Sequence, residues 1–142
     1  MGVWALDIFG NDDAADLGFE LEDAASSDEI ISILRTQFVK VVNGSEDGVF
    51  PGDYDAAIAA AALVISVQDS SILPSSAEHY GPQPWPPQAL EIPPELYEWA
   101  RRAMDRTLDT ADNDLYEVAT EADIWPEQEA LVEELRARLT DV

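Results

Sequence analysis

Residues 53–67, which read DYDAAIAAAALVISV, decide the fold of this chain. From Ala56 to Ile65 the side chains are apolar on every side of a helical wheel. A helix that is hydrophobic all round is buried among other elements, and this stretch is far shorter than the ~20 apolar residues of a membrane span. The sequence therefore predicts a central helix over 53–67 that neighbouring helices cover.

Two amphipathic helices are predicted before this central segment. The first begins after Asn11-Asp12-Asp13, and its shared apolar face consists of Ala14, Leu17 and Leu21. The second begins at the capping-box pattern Ser26-x-x-Glu29 and ends at Gly44. Its apolar stripe consists of Ile30, Ile31, Leu34, Phe38, Val41 and Val42. Both patterns have helical spacing.

Three further helices are predicted after a proline-rich segment at about 69–92, in which the prolines forbid helix. Pro93 and Pro94 begin the first of the three, a short helix follows around Leu115, Val118 and Ala119, and Pro126 begins the last. The buried face of the last helix consists of Leu131, Leu135 and Leu139. The prediction is an all-α fold: a single compact domain, 1–142, of five to six helices with one Pro-rich extended loop.

The charge of the chain limits its partners. The chain has thirty acidic and seven basic residues, which gives a formal net charge of −23. It has no cysteine. Such a surface repels nucleic acid and anionic lipid, and it attracts basic proteins and cations. We therefore expect a basic protein partner, no direct nucleic acid and no membrane. The oligomeric state is left open by the sequence.

Two alternatives account for the same charge. A folded chain of this size exposes roughly 7,000 Å², or about one net negative charge per 300 Å², whereas B-DNA carries about one phosphate per 100 Å² of its cylinder. A DNA mimic occupying a nucleic-acid-binding groove would need its acids gathered on one face. Alternatively, the acidity adapts the surface to its solvent, as in a salty cytoplasm. The opening residues show no basic region and no long apolar run, so we expect a cytoplasmic protein.

The opening residues also carry a family resemblance. Gly2-x-Trp4, followed by Phe9-x-Asn11-Asp12-Asp13-Ala14-x-Asp16, resembles the start of domain of unknown function family 4259 (DUF4259), a bacterial family. The alanine-rich residues 60–64 and the Leu-Arg-x-x-Leu-like residues 135–139 fit the remainder of that family's plan. The resemblance implies helices along the whole chain and no known catalytic residues.

Asn11, Asp12, Asp13 and Asp16 form the first candidate site. Carboxylate and amide oxygens are ligands for Ca²⁺ or Mg²⁺, which keeps a metal-binding or enzymatic reading open as an alternative. The spacing does not match a calcium-binding loop, and capping of the first helix accounts for the same residues. Contact with a partner is the third possibility. We expect the cap, and no metal.

The densest acidic stretch is the second candidate site. As a partner-binding face we select its central members, which are Asp105, Asp109, Asp112, Asp114, Glu117 and Glu121. Solvated helix surface is the simpler interpretation of the same residues. Paired carboxylates also serve glycosidases, but that chemistry needs a cleft and a raised pKa on one member. The lone His79 and the segment around Trp85 are expected to be loop residues, with Trp85 anchoring the loop.

These observations predict a non-catalytic acidic interaction protein that needs no cofactor. Its concrete version is an immunity-like or antitoxin-like inhibitor of a basic protein, because opposite charge steers association. The DNA mimic, and the enzyme or metal protein using Asn11–Asp16, are the alternatives.

Overall fold

Helix α3, Pro51–Ser66, occupies the centre of the core. The computed structural model describes residues 8, 12–44, 48–69, 82, 85–87 and 90–140. Every side chain from Ala56 to Ser66 is buried, which confirms the predicted central helix. The helix begins two residues earlier than predicted, because Pro51 suits the first helical position and the Asp53 carboxylate accepts the Phe50 N–H at 3.0 Å.

The described residues contain six α-helices and no strand, which confirms the all-α class. In chain order they are α1 Asp12–Asp23, α2 Ser27–Asn43, α3 Pro51–Ser66, α4 Pro94–Leu108, α5 Asp114–Glu121 and α6 Trp125–Thr140. None of these helices is long and apolar enough to cross a membrane.

The capping of α2 follows the predicted pattern with one difference. The Ser26 hydroxyl accepts the Glu29 N–H at 3.2 Å, as in a capping box. The Glu29 carboxylate, however, accepts the N–H of Ala25 at 2.8 Å, one residue before the position that the pattern predicts. Gly44 ends the helix with a φ of 70°, a left-handed conformation that favours glycine.

The helices pack in two groups around α3. Helices α1 and α2 pack on one another and on α3, while α4 packs between α2 and α6. An ion pair from Arg35 to Glu95 joins α2 to α4. Asp105 of α4 pairs with Arg136 of α6 at 2.7 Å, and Arg101 donates to the Leu139 carbonyl at 2.9 Å. The charged contacts thus fasten the three helices that carry the basic residues.

The last three helices begin near the predicted positions. Pro94 occupies the first turn of α4, and the predicted leucines of α6 are all buried. In α5 Leu115 and Ala119 are buried, but Val118, which the short apolar pattern placed with them, is exposed. Leu115 and Ala119, one turn apart, form the packed side of this short helix, and Val118 lies at the edge of that side, next to the exposed Glu117 and Glu121.

The proline-rich segment is described only in part. Its described residues within 69–92 contain no helix, as the prolines predict, and Trp85 donates its indole N–H to the Ser66 hydroxyl at 2.8 Å. Trp85 packs half-buried against the core, so it anchors the segment to the end of α3. The prediction for His79 lies outside the described residues.

Replacing Ala60 by leucine tests the close packing around α3. Ala60 is fully buried, so a larger side chain must displace its neighbours, and we expect Ala60→Leu to lower the free energy of unfolding by about 1–3 kcal/mol. Urea denaturation followed by circular dichroism measures this. Ala137→Leu, at an exposed position of α6, is the control and should change stability by less than about 0.5 kcal/mol. Equal stabilities of the two variants would contradict close packing at Ala60.

Candidate functional site

Helix α5 presents an acidic face to solvent. Asp114, Glu117, Val118 and Glu121 are all exposed, and their spacing of i, i+3, i+4 and i+7 places them on one side of the helix. We call these residues, together with Asp123 and Ile124, the α5 face. Its four carboxylates form no ion pair with any residue that the structure describes. Half of the six predicted partner-binding acids therefore share one unpaired surface.

The other three predicted acids lie apart from that surface or serve the fold. The carboxylate of Asp105 is paired with Arg136 across α4 and α6. In the loop between α4 and α5, the Asp109 carboxylate accepts the Ala111 N–H at 3.1 Å. The guanidinium of Arg106 donates to the carbonyls of Asp109 and Asp112 at 3.0 and 2.6 Å. The positive charge of Arg106 therefore partly neutralises the acidic loop between α4 and α5.

The α5 face is held in place at the start of its helix. The Asn113 side chain accepts the Tyr116 N–H at 3.0 Å and donates to the Thr107 carbonyl at 2.8 Å. Tyr116 packs edge-on against Trp125 of α6, with ring centroids 5.0 Å apart. An N-cap and a buried side-chain hydrogen bond fix the helix relative to α4, so the orientation of its exposed face is set by the fold.

The end of α5 is a Schellman turn built on an aspartate. Ile124 donates its N–H to the Ala119 carbonyl at 2.9 Å, and Asp123 donates to the Thr120 carbonyl at 3.1 Å. Asp123 has a φ of 61°, a conformation in which glycine is favoured, and Asp112 before the helix has a φ of 48°. Exposed carboxylates thus stand at both ends of α5 in backbone conformations that cost energy for a side chain.

The motif at the start of the chain meets the beginning of α3. Asp12 and Asp13 lie in the first turn of α1, where acids are favoured, and Ala14 is buried. The Asp13 carboxylate also lies against Gly52, so closely that a Cβ atom at residue 52 would overlap it. Asp16 is exposed on α1. Gly2, Trp4, Phe9 and Asn11 lie outside the described residues, as does the prediction that Asn11 caps the helix.

The pKa of Asp55, near the start of α3, is shifted by its surroundings. Burial raises its pKa from 3.8 to about 6, and the charge of Asp13 adds to the increase. Tyr54, one residue earlier, is fully buried, and its hydroxyl has no hydrogen-bond partner among the described residues. Burial also raises the pKa of Tyr54, against the opposing effect of Arg106. Acidic groups from α1, α3 and the loop after α4 therefore surround the start of α3.

A surface pocket of about 320 Å³ lies elsewhere, between the α1–α2 turn and the proline-rich segment. Its lining includes Leu21, Ile30, Trp85 and Pro87, and one acidic side chain, Glu22. The described residues of its lining therefore do not supply a pair of carboxylates for acid–base chemistry. Within the ranges that the structure describes, no three His, Asp or Glu side chains are placed to share a metal ion.

Sequence reasoning missed Asp55, Val118 and Ile124. An acid one turn into an otherwise apolar helix was a usable signal for Asp55, since it predicts burial of a carboxyl group. Val118 and Ile124 gave no comparable signal, because an apolar residue in an amphipathic segment is ordinarily taken as core.

Comparison with known proteins gives one family match, which covers nearly all of the chain. The family model described as "Domain of unknown function (DUF4259)" matches residues 2–137, which confirms the resemblance seen in the opening motif. The comparisons with curated proteins and with solved structures returned no match.

Replacing Asp55 by asparagine tests the buried carboxyl group. Because the pKa of Asp55 is higher in the folded chain than in the unfolded chain, its ionised form destabilises the fold above about pH 6, and protonation removes that cost as the pH falls towards 4. We expect Asp55→Asn to raise the free energy of unfolding by about 1–2 kcal/mol at pH 8, after allowance for solvent screening.

Urea denaturation of both proteins between pH 4 and 8 measures the difference. The advantage of the Asp55→Asn variant should shrink steadily below pH 6. Asp28→Asn, at an exposed position in the first turn of α2, is the matched control and should show no such gain at pH 8. A difference between Asp55→Asn and the parent chain that stays constant over this range would refute the raised pKa.

Proposed function

The chain belongs to the DUF4259 family, whose description records no activity, and we propose that it is a non-catalytic protein that binds a basic protein partner through the α5 face. The observation that carries the proposal is the unpaired acidic surface of α5. Opposite charge on a partner would be attracted there, and it would meet no competing cation on this helix.

The use of the basic residues supports this proposal. All seven lie on α2, α4 and α6, and each of the six arginines donates a hydrogen bond to a described residue. Five of these arginines pair with acids or join helices to one another, and Arg106 binds the carbonyls of the loop after α4. Helix α5 has no basic residue of its own, and the following residues add none until Arg136.

Along the chain, few basic residues lie close to α5. Arg106 is the closest basic residue before the helix along the chain, and its guanidinium donates to the carbonyls of Asp109 and Asp112 rather than to the carboxylates of the α5 face. Glu117, Glu121 and Asp123 follow at increasing distance along the chain from Arg106. Exposed like charges held on one rigid surface favour association with an oppositely charged surface.

An immunity-like or antitoxin-like inhibitor is the concrete version that we propose. Cationic nucleases and similar toxins are partners that an acidic surface of this kind attracts. We place the interaction in the cytoplasm, as the sequence leads us to expect. If this version is right, genes for basic, toxin-like proteins should adjoin the gene for this chain; their absence across several genomes would contradict it.

Charge reversal on α5 tests the proposed binding surface. In Glu117→Lys/Glu121→Lys, repulsion replaces attraction, so we expect affinity for the basic partner to fall at least about tenfold at low salt, with a weaker dependence on salt. The chain is first used as bait in its native lysate, with low-salt and high-salt washes. The captured protein is then purified and titrated by calorimetry.

Glu20→Lys/Asp23→Lys is the matched control, because it changes the net charge equally on the exposed side of α1. This control should keep most of the affinity. Equal losses in the two double variants would show that net charge, rather than the α5 face, governs binding. If the captured partner is a nucleic-acid-binding protein, and if duplex DNA displaces it from this chain, the result would favour the DNA mimic instead.

A further inference from the structure

Two aliphatic side chains stand out from the α5 face. Val118 is 50% exposed and Ile124 is 41% exposed, although most apolar side chains of the described residues are buried. Both lie at the end of α5: Val118 is in the last turn of the helix, and Ile124 is in the Schellman turn that ends it, with its N–H bonded to the Ala119 carbonyl. A single exposed aliphatic residue is ordinary, but two together on a fixed turn form a small apolar surface.

Acidic side chains surround this apolar pair. Glu117 and Glu121 flank Val118 along the exposed side of α5, and Asp123 directly precedes Ile124. All three carboxylates are exposed and form no ion pair with a described residue. The surface thus has an apolar centre and a negatively charged rim, an arrangement found at protein interfaces, where a desolvated centre is enclosed by polar contacts.

We propose that Val118 and Ile124 form the apolar centre of the interface, and that the basic partner presents an apolar side chain ringed by lysine or arginine. The inference rests on the proposed function and adds the chemistry of the partner's surface. Charge complementarity selects this occupant. A second copy of the chain is disfavoured, because it would bring two acidic rims together at a net charge of −23 each.

The rim and the centre have different roles in this proposal. Exposed charges at a rim act mainly on the rate of association and on its dependence on salt. Buried apolar contacts at the centre act mainly on the rate of dissociation and on the choice between partners of equal charge. A partner with basic residues alone would therefore bind weakly, and an apolar residue among them would strengthen the complex.

Two synthetic peptides of equal positive charge test the inference. One carries leucine and phenylalanine between its lysines, and the other carries serine at those positions. Titrated with the full chain at low salt and followed by fluorescence anisotropy, the apolar peptide should bind about tenfold more tightly than the serine peptide. Val118→Ser/Ile124→Ser should reduce this preference to less than about twofold.

Phe19→Ser is the matched control, because Phe19 is 64% exposed on α1 and is also surrounded by acids. It should leave the tenfold preference intact. Thermal melting establishes that each variant is folded. We expect all of them to fold, because the substituted side chains are exposed. A preference that survives Val118→Ser/Ile124→Ser, or one that Phe19→Ser removes, overturns the inference.

The two levels of the proposal fail differently. If the peptides bind equally and Glu117→Lys/Glu121→Lys weakens both, the acidic binding surface stands and the apolar centre is wrong. If neither peptide binds at low salt, the proposed function fails as well. Sedimentation equilibrium tests whether the chain associates with itself. If it does, and if Val118→Ser/Ile124→Ser abolishes that association, the apolar pair forms a dimer contact and the inference is overturned.

Discussion

The fold depends on one constraint, the burial of α3 on all of its sides. Eleven consecutive residues from Ala56 to Ser66 are buried, and six of them are alanines. Small side chains bring the neighbouring helices close to the axis of α3, and each neighbour must then supply the larger side chains that fill the remaining space. Phe38, Leu96, Met104 and Leu135 are among the side chains that do so.

This central helix also determines where charge can be placed. Because α3 is covered from Ala56 to Ser66, its own acids lie only at its beginning, and the other described acids lie on the covering helices and the loops between them. Helices α2, α4 and α6 carry the arginines, and their acids are partly paired with them. Helices α1 and α5 carry acids alone. Helix α5 differs from the helices that carry arginines, because its carboxylates form no ion pair with a described residue.

Backbone strain and burial coincide with the acidic regions. Asp112 and Asp123 hold left-handed conformations at the two ends of α5, and Asp55 is partly buried beside Asp13. Each of these aspartates costs some stability where glycine or a neutral side chain would cost less. Natural chains tolerate such costs where the residue serves a purpose beyond stability, which is consistent with the binding role proposed for α5.

The sequence by itself determined the helices, their approximate ends and the central place of α3, because apolar periodicity, prolines and caps act over a few neighbouring residues. It also indicated the acidic stretch, although it could not separate Asp114, Glu117 and Glu121 from Asp105, which pairs with Arg136 thirty-one positions away. Only the tertiary structure decided which carboxylates stay unpaired, that Val118 and Ile124 face solvent, and that Asp13 meets Gly52. Those outcomes depend on which helices pack together, a property of contacts between distant segments that local sequence patterns do not record.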